Sequence, residues 1–349
     1  MTATARADCW TWSSMRGPGH RSALAIQNTA ATREVPRKNV AVGNGVALND
    51  HIVSRGLQKN FAQDGHRIAV LDCRTGAVLD EGRSITSNFA EPDFLTYYDV
   101  DGNPVRDVDD AFTRIERKVL NLVREVTPAS YEPTRHHESI VQLMSIHLVR
   151  SRALRASKVR LFQSSWKEMG RALSEDPDVR SRFMRVLGRP PYPGEIEESA
   201  RRWTDQGIET GAHLIENLPD LQQRIARLLG RYRLQIVQSP PELPGFVLGD
   251  VPAVHASLQD QRYGFQDGLA VGDADWASIA LSRRTVAVFS ADGRYSRTVR
   301  TAKLIHSLNL IAIRTCEQEV ACHPDDVIRV QRLIRRPEPF VTVGQLVGR

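Results

Sequence analysis

Three residues far apart in the chain, His51, Arg150 and Asp250, carry side chains from which a hydrolytic site could be built. A histidine can act as general base, an aspartate can orient it, and an arginine can stabilise an anionic transition state. Such a set would suit a small-molecule, nucleotide or phosphodiester hydrolase. Arg150 falls in a stretch, 139–154, that is apolar on nearly every side. A guanidinium buried there is costly unless it is paired, so an acceptor is required. Asp250 follows the apolar run Phe246-Val247-Leu248 and precedes Val251-Pro252, at a strand end where side chains are free for a site. His51 enters on the N-terminal strand group. Arg150 and Asp250 are therefore expected together, with His51 near. Convergence on a solvent-reachable pocket would favour catalysis. A sealed pair tying a central helix to a sheet, with His51 capping a strand, would be structural.

The familiar catalytic signatures are missing. There is no phosphate-binding loop ending in Gly-Lys-Ser/Thr, no dinucleotide glycine fingerprint and no Gly-x-Ser-x-Gly elbow. His137-Glu138 opens like a zincin helix, but Val141 stands where the second histidine belongs. Pro92-Asp93 with Glu116-Arg117-Lys118 imitates a restriction-nuclease spacing. That chemistry needs Glu and Lys two apart on a strand, and these lie in a helical pattern, where such residues diverge. Cys9, Cys73, Cys316 and Cys322 are too scattered for a disulfide framework. Cys316 and Cys322-His323 lack the close pairing of a zinc site, so no metal is assigned. No cofactor is identified.

The elements that would position these residues follow from periodicity. Two short apolar runs around Arg74-Thr75-Gly76, within 66–80, read as a hairpin, and Phe94 to Tyr98 as a strand before the Asp101-Gly102-Asn103-Pro104 turn. Residues 108–126 have helical spacing, with Asp107, Asp109 and Asp110 at the favourable end. The segment from Ser139 to Leu154 is expected to be the central, most buried helix, with Leu143, His147, Arg150 and Leu154 on one face. Arg150, Arg152, Arg155, Lys158 and Arg160 then mark a solvated helix end. Residues 163–230 read as further helix, broken at 188–194. Strands are expected near 232–237, 246–248, 279–281 and 285–289, and a last helix at 302–316. Strands at both ends around grouped helices predict an α+β fold, with a mixed β-sheet built from N- and C-terminal strand groups packed on a central helical region.

Composition sets outer limits. The 349 residues are 41% hydrophobic and 25% charged, and no apolar run is long enough to span a bilayer. The expectation is a soluble, cytoplasmic protein with no membrane partner. Of 47 basic side chains only six are lysine, and the net charge is +6. That excess of arginine suits an acidic partner, or merely reflects a GC-rich coding sequence. The charges are spread out, so no basic stripe marks a nucleic-acid site. Residues 1–45 read as a disordered leader, 46–326 as one α+β domain, and 327–349 as a tail.

Several segments taken together resemble an uncharacterised, mainly bacterial family, domain of unknown function 4238. Its opening His-aromatic-Val-Pro is similar to His51-Ile52-Val53-Ser54, and its Leu-x-x-Phe, with one residue more between the two, to Leu57-Gln58-Lys59-Asn60-Phe61. Its Gln-x-x-Arg-Thr/Ser resembles His147-Leu148-Val149-Arg150-Ser151, and its Ser-Asp-Asn-Pro resembles Gly249-Asp250-Val251-Pro252. A late Leu-Asn corresponds to Leu308-Asn309. The resemblance spans roughly 49–326 and adds His147 and Asn309 as candidate binding residues. It implies no known activity, and Ser54, His147, Gly249 and Val251 depart from its pattern. The competing expectation to a hydrolase is a non-catalytic binding or regulatory module, in a setting such as bacterial stress or phage defence. It predicts an exposed apolar or basic surface patch.

Overall fold

The computed structural model describes residues 49–99, 101–209, 211–257, 260–290 and 301–336. The expected leader lies outside the described residues. The chain opens with strand β1 (Asn49–His51) and a single helical turn, α1 (Arg55–Gln58), whose N-cap Ser54 accepts a hydrogen bond from the Leu57 amide. Next come β2 (Arg67–Asp72) and β3 (Val78–Ser84), the hairpin read from the sequence. Gly76 takes a positive φ of 66° in its turn, and the Asp72 carboxylate receives the Arg74 and Thr75 amides. Both faces of β2 are covered: Ile68 and Val70 belong to the main core, Ala69 and Leu71 to a second one. Short strands β4 (Ala90–Pro92), β5 (Tyr97–Tyr98) and β6 (Pro104–Val105) follow, and β4 pairs back with β1. Of the strand expected at 94–98, only Tyr97 and Tyr98 pair, across the predicted turn to β6.

Helix α2 (Asp107–Arg124) has three aspartates in its first turn and buries Val108, Phe112, Val119, Leu120 and Val123. Helix α3 (Pro133–Val149) is buried on nearly every side from Ser139 onward and packs against α2. It does not run on to Leu154. Ser151 adopts extended backbone and caps a new helix, α4 (Arg152–Glu175), so Leu154 belongs to α4 and shares no helix face with Leu143 and His147. The basic run 152–160 is thus a helix start rather than a helix end. Then come α5 (Pro177–Leu187), α6 (Glu195–Glu209), α7 (Ala212–Ile215) and α8 (Leu218–Leu229). Helix α8 packs on α3, whereas α6 packs chiefly along α4. At that contact an added Cβ on Gly170 would lie 3.0 Å from the Glu197 Cα, so the close approach depends on glycine.

The rest is mostly strand: β7 (Arg233–Gln238), β8 (Leu248–Gly249), β9 (Ala253–Ser257), β10 (Arg262–Tyr263), β11 (Trp276–Ser282) and β12 (Thr285–Ser290). Helix α9 (Thr301–Thr315), β13 (Glu319–Cys322) and α10 (Val327–Arg335) complete the described chain. The class is α+β. The sheet shared by N- and C-terminal strands is present in the order β3-β2-β13-β8, with antiparallel pairings rather than mixed ones. A second antiparallel sheet, β10-β9-β11-β12-β7, draws only on C-terminal strands. The segment expected as a tail begins with α10, whose Val330 and Leu333 are buried in the second core.

Candidate functional site

The contact between α2 and α3 holds a first polar cluster. Asp109, Phe112 and Glu116 are spaced by three and four on α2, so they share a face, and that face meets the C-terminal end of α3. Arg150 donates to Glu116 at 2.9 Å, lies 3.7 Å from Asp109, and sits 5.5 Å from the centre of the Phe112 ring. It is 3% exposed. His147, one turn earlier, is 1% exposed, with its Nε2 3.8 Å from Glu116. Burial, reinforced by the charge of Arg150, pushes the His147 pKa down to about 3, so the ring is neutral. Burial acts the opposite way on Glu116 and Asp109, raising both carboxyls against the pull of Arg150.

The cluster continues to β1. Arg106 bridges Asp109 at 2.7 Å and Asp50 at 2.8 Å, and Asp50 also accepts from the Leu95 amide and the Thr96 hydroxyl. His51, half-buried at the end of β1, makes a ring hydrogen bond to the Thr86 carbonyl at 3.1 Å. Burial lowers its pKa, and the charges it feels include Arg150 and Asp109. The structure therefore brings His51 and Arg150 into one neighbourhood.

Asp250 belongs to a second cluster. It is 2% exposed and accepts from the amides of Glu317 at 2.9 Å, Gln318 at 2.8 Å and Glu319 at 3.2 Å, where the chain enters β13. Its ion-pair partner is Arg152, at 2.9 Å, which also binds Glu91. The expected Arg150–Asp250 pair is thus replaced by two pairs. The break after α3 separates the two arginines: Arg150 ends one helix and turns to α2, while Arg152 starts the next and turns to β4 and the end of β8. The clusters adjoin at the β1–β4 ribbon, where Asp50 stands opposite Glu91.

The two residues marked for binding are also committed internally. His147 lies sealed behind Glu116. Asn309 accepts from the Val247 amide at 3.1 Å and donates to the Gly245 carbonyl at 2.9 Å, fastening α9 to the segment that leads to Asp250. The residues that sequence reasoning misses are the carboxylates Asp50, Glu91, Asp109 and Glu116, with Arg106 and Arg152. One signal could have found them: Glu116 lies on the apolar stripe of α2, four after Phe112 and three before Val119, where a charge needs a buried partner.

Chemically, the first cluster sets three carboxylates, Asp50, Asp109 and Glu116, against two guanidinium groups, Arg106 and Arg150. Both ring nitrogens of His147, Nε of Arg150 and Nε of Arg106 are buried there without a hydrogen bond of good geometry among the described residues. The backbone of Ile52 nevertheless lies close enough to the His147 ring to oppose part of its shift. Two cavities of about 10 Å³ lie elsewhere, one by Arg155 and Lys158, the other by Asn309, each with room for about one water. Among the described residues no group of three or more His, Cys, Asp or Glu side chains is arranged to hold a metal ion, and no helix is long and apolar enough to cross a membrane.

Antiparallel sheets on a helical centre, tied by two buried arginine–carboxylate clusters, make this an α+β protein. The chain belongs to the family described as Protein of unknown function (DUF4238), whose model matches residues 49–326. No curated protein and no solved structure matches it.

Proposed function

We propose that this protein is a non-catalytic binding module in which the His51, Arg150 and Asp250 regions are scaffold. One observation carries this reading. The Arg150 guanidinium is enclosed by Glu116 and Asp109, and the Asp250 carboxylate by three amides and Arg152. Both are almost wholly buried, Arg150 at 3% and Asp250 at 2% exposed, so neither is open to a substrate. The surface that suits a partner better is the helical arm of α4, α5 and α6, where α5 has no buried residue.

A hydrolase acting on nucleotides or phosphodiesters is the second reading, favoured by the raised Asp109 and Glu116 carboxyls beside the half-buried His51. Against it stands the charge of the cluster, where carboxylates outnumber guanidinium groups and would repel a phosphate. The test is ligand-linked stability. A ligand that binds the native state at about a hundred times its Kd adds roughly 2.7 kcal/mol. Thermal melts with ATP, pyrophosphate and a short RNA, each with and without Mg²⁺, should show no saturable rise. A rise that His51→Ala removes would overturn the binding-module reading.

A further inference from the structure

If the arm is the docking element, its far end has the most distinctive surface among the described residues, and the inference that follows rests on that reading. Helix α5 packs chiefly against α4, with Val179 and Phe183 only partly covered. Met184 and Val186 are each 43% exposed and Leu187 is 39% exposed. Gly188 then ends the helix with φ at 67°, and after Pro190 and Pro191 comes Tyr192, 65% exposed. Half of the eight exposed large apolar side chains among the described residues fall in this short segment, so exposed apolar surface is concentrated there.

The patch is held in place. Arg189 forks onto Glu195 at 2.8 and 2.9 Å and lies 3.9 Å from the Tyr192 ring centre, while the Tyr192 amide donates to Glu195 at 2.8 Å. A preformed loop loses little entropy on binding. The arginines of its helix are unpaired as well. Arg180, Arg182 and Arg185 have no carboxylate within ion-pair distance among the described residues. The acids of this helix, Asp176 at its cap and Asp178, lie at the opposite end.

We infer that the end of α5 and the following 188–194 loop form a peripheral docking element for an anionic lipid surface. Met184 and Leu187, three apart and so on one helix face, would enter the interfacial zone with Tyr192, and the arginines would meet headgroup phosphates. Three considerations select this occupant. The unpaired arginines and the chain's net charge of +6 complement an anionic surface. The aliphatic side chains gain nothing against a nucleic-acid backbone. The stretch from Met184 to Tyr192 is nine residues long, under half of the roughly 20–30 residues a side that a stable protein interface engages. A bilayer demands no matching surface, and short basic-apolar elements suffice to lie on one. Among the described residues no helix is long and apolar enough to cross a membrane, and surface docking needs no span.

The experiment is flotation of the full chain with vesicles of phosphatidylcholine alone, and with about one third phosphatidylglycerol. Binding is expected to the anionic vesicles only, weakening as salt rises from about 0.1 to about 0.5 M. The combined Met184→Ser, Leu187→Ser and Tyr192→Ser substitutions should reduce partition about tenfold or more. Their melting behaviour should match the parent, because all three side chains are exposed. Arg182→Gln with Arg185→Gln should weaken binding to anionic vesicles without affecting the melt. Equal binding by the triple serine variant, or no binding by the parent chain, would overturn the inference. If the parent ignores vesicles but forms a dimer that the triple variant dissociates, the lipid inference fails and the binding-module reading stands.

Discussion

Replacing Arg150 by Met removes the guanidinium while keeping much of its aliphatic volume. Glu116 then remains inside the α2–α3 contact without its 2.9 Å partner. Breaking a buried pair from one side costs about 3–5 kcal/mol, because the remaining charge is uncompensated. In a chain of this size each kcal/mol moves the midpoint by roughly 2–4 °C, so a fall of about 10 °C is expected. The loss should depend on pH. Burial already raises Glu116 above its ordinary value of 4.5, and Arg150 holds it down, so the variant's carboxyl rises further. The folded variant then binds a proton where the unfolded chain does not. Its stability falls as pH rises through that window, and the penalty is absent below the ordinary value. Relief of His147, whose pKa Arg150 also depresses, acts in the same direction. Unfolding of both proteins in guanidinium chloride at several pH values between about 4.5 and 8 measures this directly. The deficit should be largest at neutral pH and shrink on acidification, and adding Glu116→Gln should recover part of it. A loss below about 1 kcal/mol, or one independent of pH, would refute the claim that the pair is buried and charged.

Further outcomes follow from the same packing. His147 titrates at about 3 in the fold against an ordinary 6.5, so its contribution is fully present above 6.5 and lost as pH falls toward 3. His147→Gln should flatten the acid limb of the stability curve in urea titrations, and an unchanged limb would show that the ring is not neutral and buried. Asp250→Ala should cost about 3–5 kcal/mol, leaving three amides without their acceptor and Arg152 with Glu91 alone, with Asp250→Asn milder because its carbonyl oxygen can still accept. Equal effects of the two would contradict the role given to the charge and hydrogen bonds. Leu148→Ala, on the enclosed helix α3, should cost about 2–5 kcal/mol by calorimetry, and an unchanged melt would deny that burial.

Local signals are legible where one period dominates. The α2 stripe, the β2–β3 hairpin around Gly76 and the enclosure of α3 can all be read from residue spacing. So can the need of Arg150 for an acceptor, since an apolar helix cannot tolerate a bare charge. The identity of that acceptor is not legible. Glu116 and Asp250 are both acidic and distant in sequence, and only packing decides between them. The break after Val149 is hidden for a different reason: Ser151 caps α4 without any Gly or Pro to announce it, so the residues read as continuous helix. Asp250 does find an arginine, but three backbone amides share its carboxylate, and amides leave no trace in a sequence. The separation into two sheets depends on strand register, which alternation alone does not assign to partners.

The central claim, that the His51, Arg150 and Asp250 regions are scaffold, is tested most directly by turnover. Purified full-length protein and His51→Ala should be incubated with nucleoside triphosphates, a chromogenic phosphodiester and RNA, with Mg²⁺ or Mn²⁺, and products quantified against a blank. Both proteins are expected to match the blank with every substrate. Hydrolysis by the parent chain that disappears in a folded His51→Ala protein would contradict the claim.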